Sequence, residues 1–125
     1  ARITLDHTFF TQVNCALYTD TDLWYVPGSD GRPNRPSELA AASTAPDLKG
    51  LSHEEAEYAI RAYCERMPGA INVILHPGDY MLYRPNGWHI GAYAPYRKRA
   101  TLHTAVWKPE TVAWYQRWAE AQKKG

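Results

Sequence analysis

The chain has 125 residues, with 14 Lys and Arg against 13 Asp and Glu and a formal net charge of +1. That length is one domain, enough to bury a core and too short for two. The balanced charge excludes nucleic acid or an anionic membrane as the main partner, since both need a basic surface excess. Nine Tyr and five Trp stand against two Phe, so much of the apolar area carries a polar tip, which suits a core that opens into a cleft. Cys15 and Cys64 show neither metal spacing nor a paired framework; they read as small buried hydrophobes of a reduced intracellular protein. There is no signal peptide, bilayer-length apolar run or lipidation motif, so a cytoplasmic location is expected. The chain opens at Ala1 in a strand-like segment without a methionine, and residues in front of it are expected to be missing.

In chain order, Arg2 to Asp6 alternates and Phe9 to Tyr18 is apolar-rich, giving two short strands or one interrupted strand. Thr19-Asp20-Thr21-Asp22 reads as a turn and Leu23-Trp24-Tyr25-Val26 as a strand, ended by Pro27-Gly28-Ser29-Asp30-Gly31. A stiff loop with Arg32 and Arg35 follows, each either meeting an anionic substrate or remaining a solvated charge. Residues 37–50 read as a surface excursion with at most one short helix. Ser52 with Glu55 forms a capping box that opens a helical insert over about 52–67, with Ala56, Ala59, Ile60, Tyr63 and Cys64 at helical spacing and Pro68-Gly69 as its end. Ala70 to Leu75 has strand length. After Trp107, Pro109 opens a terminal helix over about 109–124. The order is strands, helix, strands, helix, which favours an antiparallel sandwich or roll over a parallel doubly wound sheet.

The stretch from His76 to Trp107 organises the rest. Pro77-Gly78-Asp79 is turn chemistry, so a strand begins near Tyr80 and runs to Arg84. Pro85-Asn86-Gly87 stops it and delivers Trp88-His89. From Arg99 to Trp107 the pattern alternates, with Arg99, Thr101 and His103 on one face and Ala100, Leu102 and Thr104 on the other. A polar strand face inside a small domain calls for water, a ligand or an ion as its partner.

Three segments together resemble the phytanoyl-CoA dioxygenase-like family. They are Leu23-Trp24-Tyr25-Val26-Pro27-Gly28-Ser29, then Pro77-Gly78-Asp79 through Tyr83-Arg84-Pro85 to Trp88-His89-Ile90-Gly91, then Arg97 to His103. The resemblance covers roughly residues 13 to 107. It implies a mainly β domain with flanking helices, a double-stranded β-helix or jelly-roll barrel of cupin-like form, here incomplete. It also implies an Fe(II)- and 2-oxoglutarate-dependent dioxygenase that hydroxylates a small organic substrate while 2-oxoglutarate is decarboxylated to succinate. His89 takes the position of the second iron-binding histidine. Arg99 takes that of the arginine that pairs with the distal carboxylate of 2-oxoglutarate; a planar, permanently charged guanidinium suits that task. Thr101 adds a hydroxyl on the same strand face, and Arg97 is a rival for the arginine role. Trp24, Tyr83, Trp88 and Tyr93, with Arg32, line the substrate pocket.

The departures shape the alternatives. The family's facial triad takes its first two ligands from a His-x-Asp or His-x-Glu pair on an early strand, and this chain has none. Asp6-His7 does not replace it, because adjacent strand residues point to opposite faces; His7 alone remains a weak candidate ligand. Asp30 stands where the family often has a histidine. His53 and His76 read as surface and loop residues, Asp79 as a turn residue. A second reading is a non-catalytic jelly-roll module that binds a small carboxylate or sugar acid through Arg99. A third is a cupin-like metalloenzyme using His7, His89 and His103. A barrel short of an early strand leaves an open edge, so a missing N-terminal segment, another chain or a homodimer contact is expected to complete it.

Overall fold

The computed structural model describes residues 10–93 and 96–123; His7 and the strand expected over residues 2–6 lie outside them. The elements in order are β1 (Phe10–Ala16), β2 (Asp20–Tyr25), a 3-10 turn (Ser29–Gly31), α1 (Pro36–Ala42), α2 (His53–Arg66), β3 (Ile71–Leu75), β4 (Tyr80–Tyr83), β5 (His89–Gly91), β6 (Thr101–Trp107) and α3 (Pro109–Gln122).

Six strands form two antiparallel three-stranded sheets, ordered β4-β1-β6 and β3-β2-β5. Among the described residues they do not close into a barrel. The two sheets meet through rings: Tyr83 of β4 lies edge-on to Tyr25 of β2 at 5.8 Å and to His89 of β5 at 5.1 Å. Those contacts define which face of each sheet looks inward. Tyr83 is directly opposite Gln12, and Asn14 is directly opposite His103. Opposed residues share a face, so Gln12, Asn14 and His103 face the second sheet beside Tyr83. Leu82, Leu102 and Val106 then fall on the outer face, where each is more than half exposed. The inner face of the first sheet thus carries Gln12, Asn14, Thr101 and His103 among Ala16, Met81, Tyr83 and Ala105, while its outer face exposes Leu82, Leu102 and Val106.

The second sheet carries the core on its other side. Trp24 alternates with the inward Tyr25 and packs with Cys64 of α2 and Ala92, joined by Ile60, Tyr63, Ala70 and Ile90. The capping box of α2 forms as the sequence predicts: the Ser52 hydroxyl accepts the Glu55 N–H at 3.3 Å and the Glu55 carboxylate accepts the Ser52 N–H at 2.8 Å. At Pro77-Gly78-Asp79, Gly78 has φ 93°, and Asp79 accepts the His76 N–H at 2.8 Å.

Two boundaries differ from expectation. Asp20, Thr21 and Asp22 belong to β2 instead of a turn, because Asp20 and Asp22 are buried against arginines from elsewhere in the chain. Tertiary ion pairs override the low strand propensity of aspartate. Strand β6 begins at Thr101, so Arg99 lies two residues before it. No helix among the described residues is long and apolar enough to cross a membrane.

Candidate functional site

The inner faces of the two sheets meet beside His89, which is exposed and packs edge-on to Tyr83. Its position follows from the Pro27-Gly28-Ser29 turn, where Gly28 has φ 72°. The buried Ser29 hydroxyl donates to the Val26 carbonyl at 2.7 Å and accepts the Trp88 N–H at 2.8 Å. The end of β2 is thereby tied to the start of β5. Gly87 passes so close to Tyr25 that a Cβ there would lie 2.6 Å from the phenolic oxygen, so a side chain at this turn would push the Tyr25 ring aside. His89 Nδ1 is 2.8 Å from the Gly87 carbonyl oxygen. A carbonyl accepts, so Nδ1 donates, and in the neutral ring the lone pair then lies on Nε2, the form that binds a metal or accepts a proton. Burial pushes the Tyr83 phenol beside it up from its ordinary pKa.

Opposite His89, the inner face of β1 and β6 presents amides. The Oε1 of Gln12 and the Oδ1 of Asn14 are buried and have no hydrogen-bond partner among the described residues. His103 Nε2 lies 2.5 Å from Gln12 Nε2; the amide nitrogen donates, so this imidazole lone pair is engaged. Thr101 is half-buried on the same face.

Arg99 is held by Asp20, whose side chain is fully shielded: Nη2 lies 2.8 Å and Nε 3.0 Å from Oδ2. Its guanidinium also stacks on the exposed Tyr93 ring at 4.1 Å. Burial opposes its charge, but the bond to Asp20 and the charge of that carboxylate raise its pKa above the ordinary value. These bonds to Asp20 use Nη2 and Nε. Arg97 diverges from Arg99: it pairs with Glu57 of α2 and lies 3.8 Å from Asp22, which also takes Arg61 at 2.9 Å.

The pocket residues expected together are dispersed. Tyr83 lies where the inner faces of the sheets meet, and Tyr93 covers Arg99. Trp24 and Trp88 line a cavity of about 100 Å³ beneath the end of α2, reaching round the β5 edge to His89. Arg32 forms a fork with the buried Glu38, which also accepts the Arg35 N–H at 2.8 Å. The pair fixes the start of α1.

Among the described residues no three His, Cys, Asp or Glu side chains are gathered where a metal could bind. His89 supplies one imidazole, which does not hold iron alone. Sequence reasoning missed the Asp20, Asp22 and Glu57 carboxylates, whose arginine partners, apart from Arg61 four residues after Glu57, are distant in the chain. Gln12 and Asn14 left a legible signal, two polar residues alternating with Val13 and Cys15. Compared with protein-family models, curated proteins and solved structures, the chain matches none.

Proposed function

We propose that this chain carries the co-substrate side of an Fe(II)- and 2-oxoglutarate-dependent dioxygenase akin to the phytanoyl-CoA dioxygenase-like family, which hydroxylates a small organic substrate. The observation that carries the reading is the pair of buried, unpartnered amide oxygens on the inner face of the first sheet. That face sets the oxygens of Gln12 and Asn14 opposite the sheet that bears His89 with an open Nε2. Buried polar groups without partners call for a polar occupant.

The strand connectivity supports an incomplete jelly roll. β1, β4 and β6 fall in one sheet and β2, β3 and β5 in the other; a jelly roll has eight strands in two sheets, so one further strand on each would complete it. A strand added beside β5 would set its inward residues next to His89. The described residues do not fit an iron site by themselves, so the remaining ligands belong to residues outside them, from the region of His7 or another segment. In this reading the Nη1 side of Arg99 binds the distal carboxylate of 2-oxoglutarate and Thr101 donates a hydroxyl, while Tyr83 and Tyr25 wall the cleft.

A non-catalytic carboxylate-binding module is the second reading. It is favoured by the engagement of Asp20 and Asp22 with arginines, which leaves neither carboxylate available to a metal.

Anaerobic titration of the full-length gene product with Fe(II) and 2-oxoglutarate separates the two. The first reading expects a weak visible charge-transfer band that His89→Ala abolishes and Arg99→Ala shifts to at least tenfold higher 2-oxoglutarate concentration. A folded protein that binds 2-oxoglutarate through Arg99 without any band would replace it with the second.

A further inference from the structure

The cavity beneath α2 takes in Trp24 and Ile90 on one face of the β2–β5 pair and continues round its edge to Tyr25 and His89 of the other face. Its walls include Val26, Met67, Ala70 and Ile90; none of its lining residues is Asp, Glu, Lys or Arg, and the His89 imidazole is its one nitrogen base. A charged ligand there would lose its hydration without compensation. An alkane would fare differently but also poorly, because two donors in the walls are unmatched. The indole N–H groups of Trp24 and Trp88 are buried and have no acceptor among the described residues. An indole nitrogen donates and does not accept, so each needs an oxygen or another acceptor. The two phenols of the lining do not compete for one: Tyr63 donates to the Ala42 carbonyl at 3.2 Å and Tyr25 to Asp30 at 3.4 Å.

We propose that this cavity, with the indole N–H groups of Trp24 and Trp88 as its donors, binds a small uncharged molecule bearing a hydrogen-bond acceptor, such as a ketone, ester or ether. A dry cavity of about 150 Å³ accommodates the six heavy atoms of benzene, so about 100 Å³ encloses about four, and a molecule of about five or six heavy atoms would extend into the open mouth. The walls are pinned: the Trp88 N–H is bonded to Ser29 and its carbonyl accepts the Val26 N–H at 3.0 Å. Met67, at the end of α2, is the adaptable wall. Cys64 contributes a buried thiol that burial pushes up from its ordinary pKa, so it serves as an apolar surface.

The test uses cyclopentanone as the probe and needs neither iron nor 2-oxoglutarate, so it is independent of the dioxygenase reading. In ¹⁵N–¹H spectra of the full chain, with indole signals assigned by Trp24→Phe and Trp88→Phe, cyclopentanone is expected to shift both indole N–H signals saturably. Cyclopentane should bind at least about tenfold more weakly, one hydrogen bond's worth of affinity, and cyclopentanecarboxylate should not compete. Ala70→Leu, or Ala70→Val where the larger residue unfolds the chain, should fill the space and remove the shifts while the other signals stay in place. Equal binding of cyclopentane, tighter binding of the carboxylate, no saturable shift, or shifts that persist in the folded Ala70 variant would each overturn the proposal.

Discussion

Arg99 grips Asp20 with two of its nitrogens on one carboxylate oxygen, at 2.8 and 3.0 Å, and the Asp20 side chain is wholly shielded from water. The second Asp20 oxygen accepts the Asp22 N–H at 3.0 Å. Removing the guanidinium therefore strands a buried carboxylate. Arg99→Ala is expected to lower stability by about 3–5 kcal/mol, and adding Asp20→Asn to the same chain should restore a large part of the loss. Urea unfolding of the two single variants and the double variant measures this. A loss under about 1 kcal/mol for Arg99→Ala would mean that the pair behaves as a surface ion pair.

Asn14 shows the opposite balance. Its side chain is 5% exposed and its Oδ1 is unpartnered, a cost to the fold that a bound polar molecule would offset. Replacing it by an apolar residue of similar volume, Asn14→Leu, is expected to raise stability by about 1–2 kcal/mol while weakening 2-oxoglutarate binding at least tenfold. Chemical denaturation and calorimetric titration on the same preparation give both numbers. Destabilisation together with unchanged binding would show that this amide serves the fold and not the cleft.

Much of the frame was legible in the sequence because local chemistry sets it. Ser52 and Glu55 announce the start of α2, Pro77-Gly78-Asp79 the turn before β4, and the period of two after Arg99 the polar face of β6. On that face the Gln12 amide nitrogen pairs with His103, and the Gln12 and Asn14 oxygens have no partner among the described residues. What escaped was set by contacts between distant residues. Asp20 and Asp22 look like turn residues until Arg99, Arg97 and Arg61 arrive, 39 or more residues away in the closest of these hydrogen bonds. The aromatic wall was divided because Trp24 and Trp88 pack beneath α2 whereas Tyr83 faces the second sheet, and which side of a sheet a helix covers is not written in the strand's own pattern.

Glu38 gives a pH signature. The Arg32 guanidinium, followed by the Arg35 N–H, holds its carboxyl down to about 2 from an ordinary value of 4.5. A lowered folded-state pKa stabilises the fold above the unfolded value, and that contribution is lost as the pH falls from about 4.5 to about 2. Glu38→Gln is therefore expected to lower the melting temperature at pH 7 and to differ less from the parent as the pH approaches 2. Thermal melts across that range decide it; an offset that stays constant with pH would show that packing of the side chain, not its charge, holds the start of α1.

Glu57 straps the loop that carries Arg99 to the core helix. One of its oxygens accepts from Arg61 at 3.1 Å, four residues on along α2, and from Arg97; the other accepts from the Tyr96 hydroxyl, whose ring stacks on His53 at 6.0 Å. Arg97 precedes Arg99 by two residues, so loosening the strap should be felt at the carboxylate anchor. Glu57→Gln removes the charge but keeps the shape, and Asp22 still holds Arg61. Each charge-assisted bond lost is expected to speed local opening, so amide exchange over residues 96–100 should rise about tenfold to a hundredfold while α2 keeps its protection. The same variant should bind 2-oxoglutarate more weakly without a matching fall in global stability. Exchange that rises in the loop with unchanged 2-oxoglutarate affinity would show that Asp20 and Tyr93 suffice to hold Arg99, and unchanged exchange would show that the strap does not restrain the loop at all.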